Sequence, residues 1–309
     1  MRCAGRRAHA FLHAFLTPRF FKRIPMIPYG SLVLCVTPKG KRSLKRLVSG
    51  EVWHSQDGTL AADDVAKASF GDCITTSLGR PIQILAVTLQ DLLKGIKRQT
   101  QIIYPKDVAY ICLRLGAGPG RTICEAGCGS GGLTLALSWF CGPTGRVVSH
   151  DAREEFAKLA RRNLDWAGQG SNVEIHVQDV ANGFCVTEAD ALFLDVRTPW
   201  EYLDQALAAI RPGATLGFLL PTVVQVSELL KGLERGPFDH IEVQELLLRD
   251  WKPLADRLRP ADRMIAHTGF LVFCRHQIRN REFDELRPKG TRERKQQAAL
   301  EERLGLLDE

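Results

Sequence analysis

The sequence predicts an α/β architecture: an open, mostly parallel sheet of seven strands with helices on both faces, preceded by a small β-barrel. Three observations predict it. From residue 121 onward, short apolar runs of strand length alternate with amphipathic runs of helix length, the pattern of strand–helix–strand crossovers. A glycine-rich turn joins the first of these strands to its helix. Before them, residues 31–87 hold several short β-branched or alternating runs with turn signals between, the spacing of a small barrel.

The first 50 residues carry eleven Lys or Arg and no acid. Residues 1–28 read as a basic extension, expected to be disordered. Residues 1–25 fit either a transit peptide or an upstream extension before Met26, and the extension is the preferred reading. Ordered sequence is expected from about Tyr29. The small β domain, 29–96, is built from SLVLCV, LKRLV, EVWH, CITTS and PIQILAV, separated by Pro38-Lys39-Gly40, Ser49-Gly50, Asp57-Gly58, Gly71-Asp72 and Leu78-Gly79-Arg80. Its basic turn, with Lys39, Lys41, Arg42, Lys45 and Arg46, suits either RNA phosphates or a solvated hairpin.

The second domain, 97–278, opens with RQTQIIYPKD. Pro105 and Asp107 start a helix over VAYICLRL, which is expected to pack on the first strand of the sheet. Then Thr122, Ile123 and Cys124 lead to Glu125 and to Gly127, Gly129, Gly131 and Gly132. Glycines without Cβ atoms let a ligand approach the backbone, and the free N–H groups at the start of the following helix face it. Asp151 closes the next strand, about 20 residues on, where a carboxylate can hold both hydroxyls of a ribose. These features alone would also suit a dinucleotide. Glu125 shifts the balance: a second acid beside the loop is awkward for a pyrophosphate and suits a cationic amine and sulfonium, as in S-adenosylmethionine.

Residues 153–167 read as a helix with Phe156, Leu159, Ala160 and Leu164 on one face. Strands follow at 173–177, before Asp179, and at 191–194, before Asp195. A helix at 199–210, a strand at 214–220 and a helix at 223–233 come next. Two final strands, 240–248 and 265–274, lack a helix between them and are expected to form an antiparallel edge, joined by a long basic loop. Glu125, Asp151, Asp179 and Asp195 all end strands, where ligands bind in such sheets. Residues 279–309 are a charged tail with no assigned chemistry.

The hydrophobic fraction of 45% and charged fraction of 25% are those of a globular protein. No run is long and apolar enough to span a membrane. The nine cysteines contain no C-x-x-C pair, so no metal is expected, and a reducing compartment, the cytoplasm, is. The net charge of +7, concentrated in the leading segment, points to a polyanionic partner.

Five strings resemble one family: RQTQIIYPKD, EAGCGSGGLT, LDVRTPW, LPTVVQV and HTGFLVFCR. In order and spacing, from about Tyr29 to Arg275, they are similar to the tRNA (adenine-58-N1)-methyltransferases. The resemblance implies a Rossmann-like class I methyltransferase domain, S-adenosylmethionine as cofactor, tRNA as substrate and a homotetramer. It implies cofactor contacts from Gln101, Ser130, Gly131, Gly132, Leu133, Asp151 and Asp179, beside Glu125, Gly127 and Gly129 from the reading of the loop; Phe156 is expected at the cofactor too, where relatives can place a polar residue. Asp195 matches the catalytic acid, at the edge of the cofactor site, and Tyr104 an aromatic near the target base. Cys128, Phe156 and Val196-Arg197-Thr198 depart from the usual pattern, the last placing a cation beside Asp195. His267 reads as a satisfied strand-end histidine. The alternatives are a methyltransferase acting on another RNA base or on protein, a nucleotide-dependent oxidoreductase, and a non-catalytic RNA-binding subunit.

Overall fold

The computed structural model describes residues 26–99, 101–278 and 280. The charged tail from 281 and residues 1–25 of the basic extension lie outside them. The chain divides into two compact units, one up to Gly95 and one from Ile96.

In the first unit the strands are β1 (Leu32–Val36), β2 (Arg42–Arg46), β3 (Val52–Ser55) and β4 (Gly58–Ala61). Helix α1 (Ala62–Ala66), β5 (Cys73–Thr75), β6 (Pro81–Ala86) and α2 (Leu89–Gly95) follow. The expected barrel is met only in part. Four strands pair antiparallel in the order β2-β1-β6-β5, and β3 and β4 form a separate hairpin. The ring of strands is therefore open, although Ser77 N donates to Thr59 O at 3.0 Å and ties the hairpin to the sheet. One core of Val33, Leu47, Trp53, Leu60, Val65 and Ile84 serves both. Each such side chain taken out of water contributes roughly 1.5–3 kcal/mol. Ile27, assigned to the extension from sequence, is buried in this core, with its N–H on Ala66 O at 2.9 Å.

The second unit begins with α3 (Pro105–Leu115), which carries its proline in the first turn, where the missing N–H has no helical partner to lose. The elements after it are β7 (Thr122–Ala126), α4 (Gly132–Cys141), β8 (Arg146–Asp151), α5 (Glu154–Ala167), β9 (Val173–Val177) and β10 (Ala189–Leu194). A short 3-10 turn precedes α6 (Leu203–Ala209), then β11 (Ile210–Leu220), α7 (Val223–Arg235) and β12 (Phe238–Gln244). A small hairpin, β13 (Trp251–Lys252) and β14 (Arg259–Pro260), leads to β15 (Phe270–His276).

The seven-stranded sheet runs in the order β12-β15-β11-β10-β7-β8-β9. All pairings from β11 to β9 are parallel, and β15 is antiparallel to both β11 and β12. Two expectations need correction. The final two strands do form the expected antiparallel edge, β12 outermost with β15 between it and β11, but β12 ends at Gln244, earlier than expected. Helix α3 packs against α4, β10 and β11 rather than mainly on β7. The sheet reverses direction of construction between β7 and β10, the place where the carboxyl ends leave a crevice. The core beneath that crevice includes Phe193, Leu194, Phe218 and Leu220, each fully buried.

Candidate active site

At the carboxyl ends of β7, β8 and β10 lies a cavity of about 170 Å³, lined by Gln101, by Gly127, Gly129, Ser130 and Gly132 of the glycine loop, by Leu133 and by the carboxylate residues Glu125, Asp151 and Asp195. The glycine loop is shaped by the protein itself. Gly127 has φ +86, and a Cβ there would stand 2.1 Å from the carbonyl oxygen of Asp195. Only a glycine lets β7 turn directly against the end of β10. Gly131 (φ +79) likewise lies 2.9 Å from Ala160 by the same measure, so α4 and α5 approach closely. Gly131 is the N-terminal boundary of α4, and no side chain caps it, which leaves the first helical N–H groups to a ligand.

Asp151 is buried and holds the loop as well as facing the cavity. Its Oδ2 accepts from Gly129 N at 3.0 Å, and its Oδ1 accepts from Arg153 N at 3.0 Å. Each oxygen keeps further lone-pair capacity for a hydroxyl. Glu125, 1% exposed, accepts on one oxygen from Thr134 Oγ1 at 2.6 Å and Ser149 Oγ at 2.8 Å. Burial pushes its carboxyl up to about 7, against the pull of the two hydroxyls, and the charges of Asp195 and Asp151 add to the rise. Asp195, half-buried, is pushed up to about 6 by burial and by Asp151. Its backbone N–H is bonded to Ala126 O at 2.9 Å, which fixes the start of the turn. Two acids held above the carboxylate range, with a third lining the same cavity, make a site that favours a cation.

Sequence reasoning missed four supports. Thr134 and Ser149 interrupt apolar stretches on α4 and β8, and that interruption was the available signal. Asn163 sits on the buried stripe of α5; its side chain bonds Lys97 N and O at 3.0 and 2.9 Å and Ser130 O at 2.8 Å. It thereby clasps the segment before α3 to the glycine loop, where Ser130 Oγ also accepts from Gln99 N at 3.2 Å. His150, buried beside Asp151, bridges Glu125 O at 3.2 Å and Cys185 N at 2.9 Å. Burial pushes its imidazole down to about 4, so it is neutral, with Nδ1–H donating and Nε2 accepting. Its carbonyl takes the N–H groups of Gly127 and Cys128.

Four expected site residues do not line this cavity. Gly131, at the start of α4, packs against Ala160 instead. Asp179 caps a 3-10 turn through Ala181 N at 2.9 Å and is exposed at the end of β9. Phe156 is buried under the Arg153 guanidinium, 3.8 Å from its ring centroid. Tyr104 is the N-cap residue of α3, its carbonyl accepting from Asp107 and Val108 N. His267 bonds Glu245 at 2.6 Å and Pro221 O at 3.1 Å, the satisfied strand-end role. Of the five basic residues near β2, Arg42 pairs with Asp91 at 3.0 Å and Arg46 donates to Gly30 O at 2.5 Å. Lys39, Lys41 and Lys45 form no ion pair among the described residues.

Residues 82–268 match the family described as the tRNA methyltransferase complex GCD14 subunit. The chain is 33% identical over 238 residues to the tRNA (adenine(58)-N(1))-methyltransferase TrmI of Thermus thermophilus, covering 77% of this chain and 93% of that one. Among solved structures, a SAM-dependent O-methyltransferase from Thermotoga maritima aligns with TM-score 0.77 at 38% identity, over 83% of this chain and 96% of the other. The tRNA (m1A58) methyltransferase TrmI of Aquifex aeolicus aligns with TM-score 0.71 at 36% identity, over 82% and 100%.

Proposed function

The chain belongs to the tRNA methyltransferase family of the GCD14 subunit, and from that membership we propose that it methylates N1 of adenine 58 in tRNA, using S-adenosylmethionine. The observation that carries the reading is the cavity in which Glu125, Asp151 and Asp195 meet a glycine loop and an uncapped helix start. The donor set fits this cofactor: a cation finds carboxylates, and a ribose finds Asp151. At about 170 Å³ the cavity is smaller than the ~300–1,000 Å³ usual for a ligand pocket. Part of the ligand therefore lies beyond it along the strand ends, toward exposed Asp179. Gln101, Ser130 and Leu133 are proposed to close the near side. Phe156 and Tyr104 retain proposed roles at the adenine of the cofactor and at the target base.

When bound, the cofactor supplies an activated methyl group on a sulfonium. The protein's residues do the positioning, which is most of what an in-line transfer to a lone pair requires. Asp195 accepts a hydrogen bond from the exocyclic N6 amine of the adenine. Its carboxylate offsets the positive charge that grows on the ring as N1 is alkylated and can take the surplus proton. Gly127 places the Asp195 backbone against the loop, so the acid and the cofactor site are built as one piece.

Unmodified tRNA incubated with labelled cofactor, then digested to nucleosides, tests the reading. Label in 1-methyladenosine at position 58 is expected. Label on a ribose oxygen, on another base or on no tRNA overturns it. The same reading proposes a homotetramer in the cytoplasm. A mass by light scattering of one chain, or activity only with a different second chain, rejects the assembly. No helix among the described residues is long and apolar enough to cross a membrane.

A further inference from the structure

The open ring of the first unit leaves a second cavity, of about 340 Å³, between β1–β2 and the β3–β4 hairpin. Its floor is apolar: Cys35, Trp53, Leu60 and Ile82, all buried. At its mouth stand Lys41, Lys45, His54 and Gln56. Lys41, just before β2, and Lys45 within it have no ion-pair partner among the described residues, whereas Arg42 and Arg46 of β2 are tied to other groups. The buried indole N–H of Trp53 has no hydrogen-bond partner among the described residues.

We propose that this cavity is a second nucleic-acid subsite, which takes one unstacked base of the tRNA substrate against Trp53 while Lys41 and Lys45 hold the flanking phosphates. The proposal rests on the tRNA reading above and goes beyond it, because it lies in the first unit and takes no part in methyl transfer. A nucleobase is the occupant that fits each part. It is a flat, apolar-faced group for an indole and an aliphatic floor, and it is attached to anions for the two lysines. Single-stranded nucleic acid is bound in this way, with bases stacked on aromatic side chains and a cationic rim along the backbone. A peptide or a lipid tail would use the floor but leave the paired lysines without a fixed anion.

Two variants separate the parts. Ser43, exposed on β2 and lining the cavity, can be enlarged without touching the core: Ser43→Phe fills the space. Lys41→Gln with Lys45→Gln removes the rim. Affinity for an unmodified tRNA transcript is measured by filter binding across a salt series, with KM and kcat for methyl transfer and with cofactor affinity as a check of folding. Ser43→Phe is expected to weaken tRNA binding about tenfold, as for one lost base stack, with an unchanged salt slope. The double lysine variant is expected to flatten the slope by about 0.7–0.9 per lysine. Both should raise KM for tRNA and leave kcat and cofactor affinity unchanged. Wild-type tRNA affinity in Ser43→Phe overturns the subsite, whatever the lysines do, since the cavity would then be idle. Failure of the wild-type chain to bind tRNA at all overturns the functional reading and the subsite with it.

Discussion

Replacing Glu125 by Gln should make the ligand-free protein more stable in alkali while weakening its hold on the cofactor. The carboxyl is raised from 4.5 to about 7, chiefly by burial. A group with a raised pKa in the folded state binds its proton more tightly there than in the unfolded chain. Its contribution to stability is therefore fully present below about pH 4.5 and lost as pH rises through about 7. The shift corresponds to about 3 kcal/mol of opposition to folding once Glu125 is ionised. A glutamine carries no charge at any pH, and its oxygen can still accept from Thr134 and Ser149. Urea unfolding of the ligand-free variant should show a gain of up to about 3 kcal/mol over wild type at pH 8.5, shrinking toward zero by pH 5. Calorimetry with S-adenosylmethionine should show weaker binding. In wild type, binding should release protons between pH 5 and 7, because a cation in the cavity draws Glu125 into its ionised form. A variant less stable than wild type at pH 8.5, or a gap of equal size at both pH values, would refute the reasoning: Glu125 would then be held by its hydroxyl donors more strongly than burial opposes it.

Asp195→Asn should lower turnover on tRNA by at least ~10²-fold, the loss of an electrostatic contact in a dry site, with cofactor affinity little changed; parallel loss of both would make Asp195 a cofactor ligand. Asp151→Ala should cost about 1.5–3 kcal/mol of cofactor binding, the worth of a charge-assisted hydrogen bond. It also frees the N–H of Gly129, so amide exchange in the glycine loop should quicken in the ligand-free protein; unchanged affinity would place the ribose elsewhere. Gly127→Ala puts a methyl group where the carbonyl of Asp195 stands at a backbone angle that L residues avoid. It should lower both thermal stability and turnover, and a variant with wild-type kinetics would show that the turn can relax without moving the acid.

The periodic parts of the fold were legible. Alternating apolar and helical runs gave seven sheet strands, because each burial pattern is local to its element. The acids at strand ends were legible for the same reason, since a carboxylate that breaks an apolar run marks where the sheet stops. Pairing was legible only in part. The missing helix between the last two strands told that they pair antiparallel at an edge, but nothing in β15 itself says that its other side pairs with β11, which lies far away in the chain. The hairpin strand Gly58–Ala61 and helix Ala62–Ala66 were too short to show a period, and without them the first unit looked like a closed barrel. Gly127 was singled out for its freedom near a ligand, but its tightest neighbour is the backbone of Asp195. Asn163 was visible as a polar residue in an apolar stripe; its use, binding two backbone segments together, depends on a fold that the stripe does not encode.

The insertion of β15 has a consequence for how the chain is made. A ribosome delivers β10, β11 and β12 before it delivers the strand that joins the last two. At roughly 5–20 residues per second, the nascent protein spends a few seconds with one side of β11 open and β12 with no partner. Unsatisfied strand edges of this kind invite pairing with other chains. Chain synthesis thus has a window of exposure that ends only when Phe270–His276 leaves the exit tunnel. A stop codon placed before that strand would strand the half-built sheet in the same condition permanently, with the glycine loop and all three acids already translated.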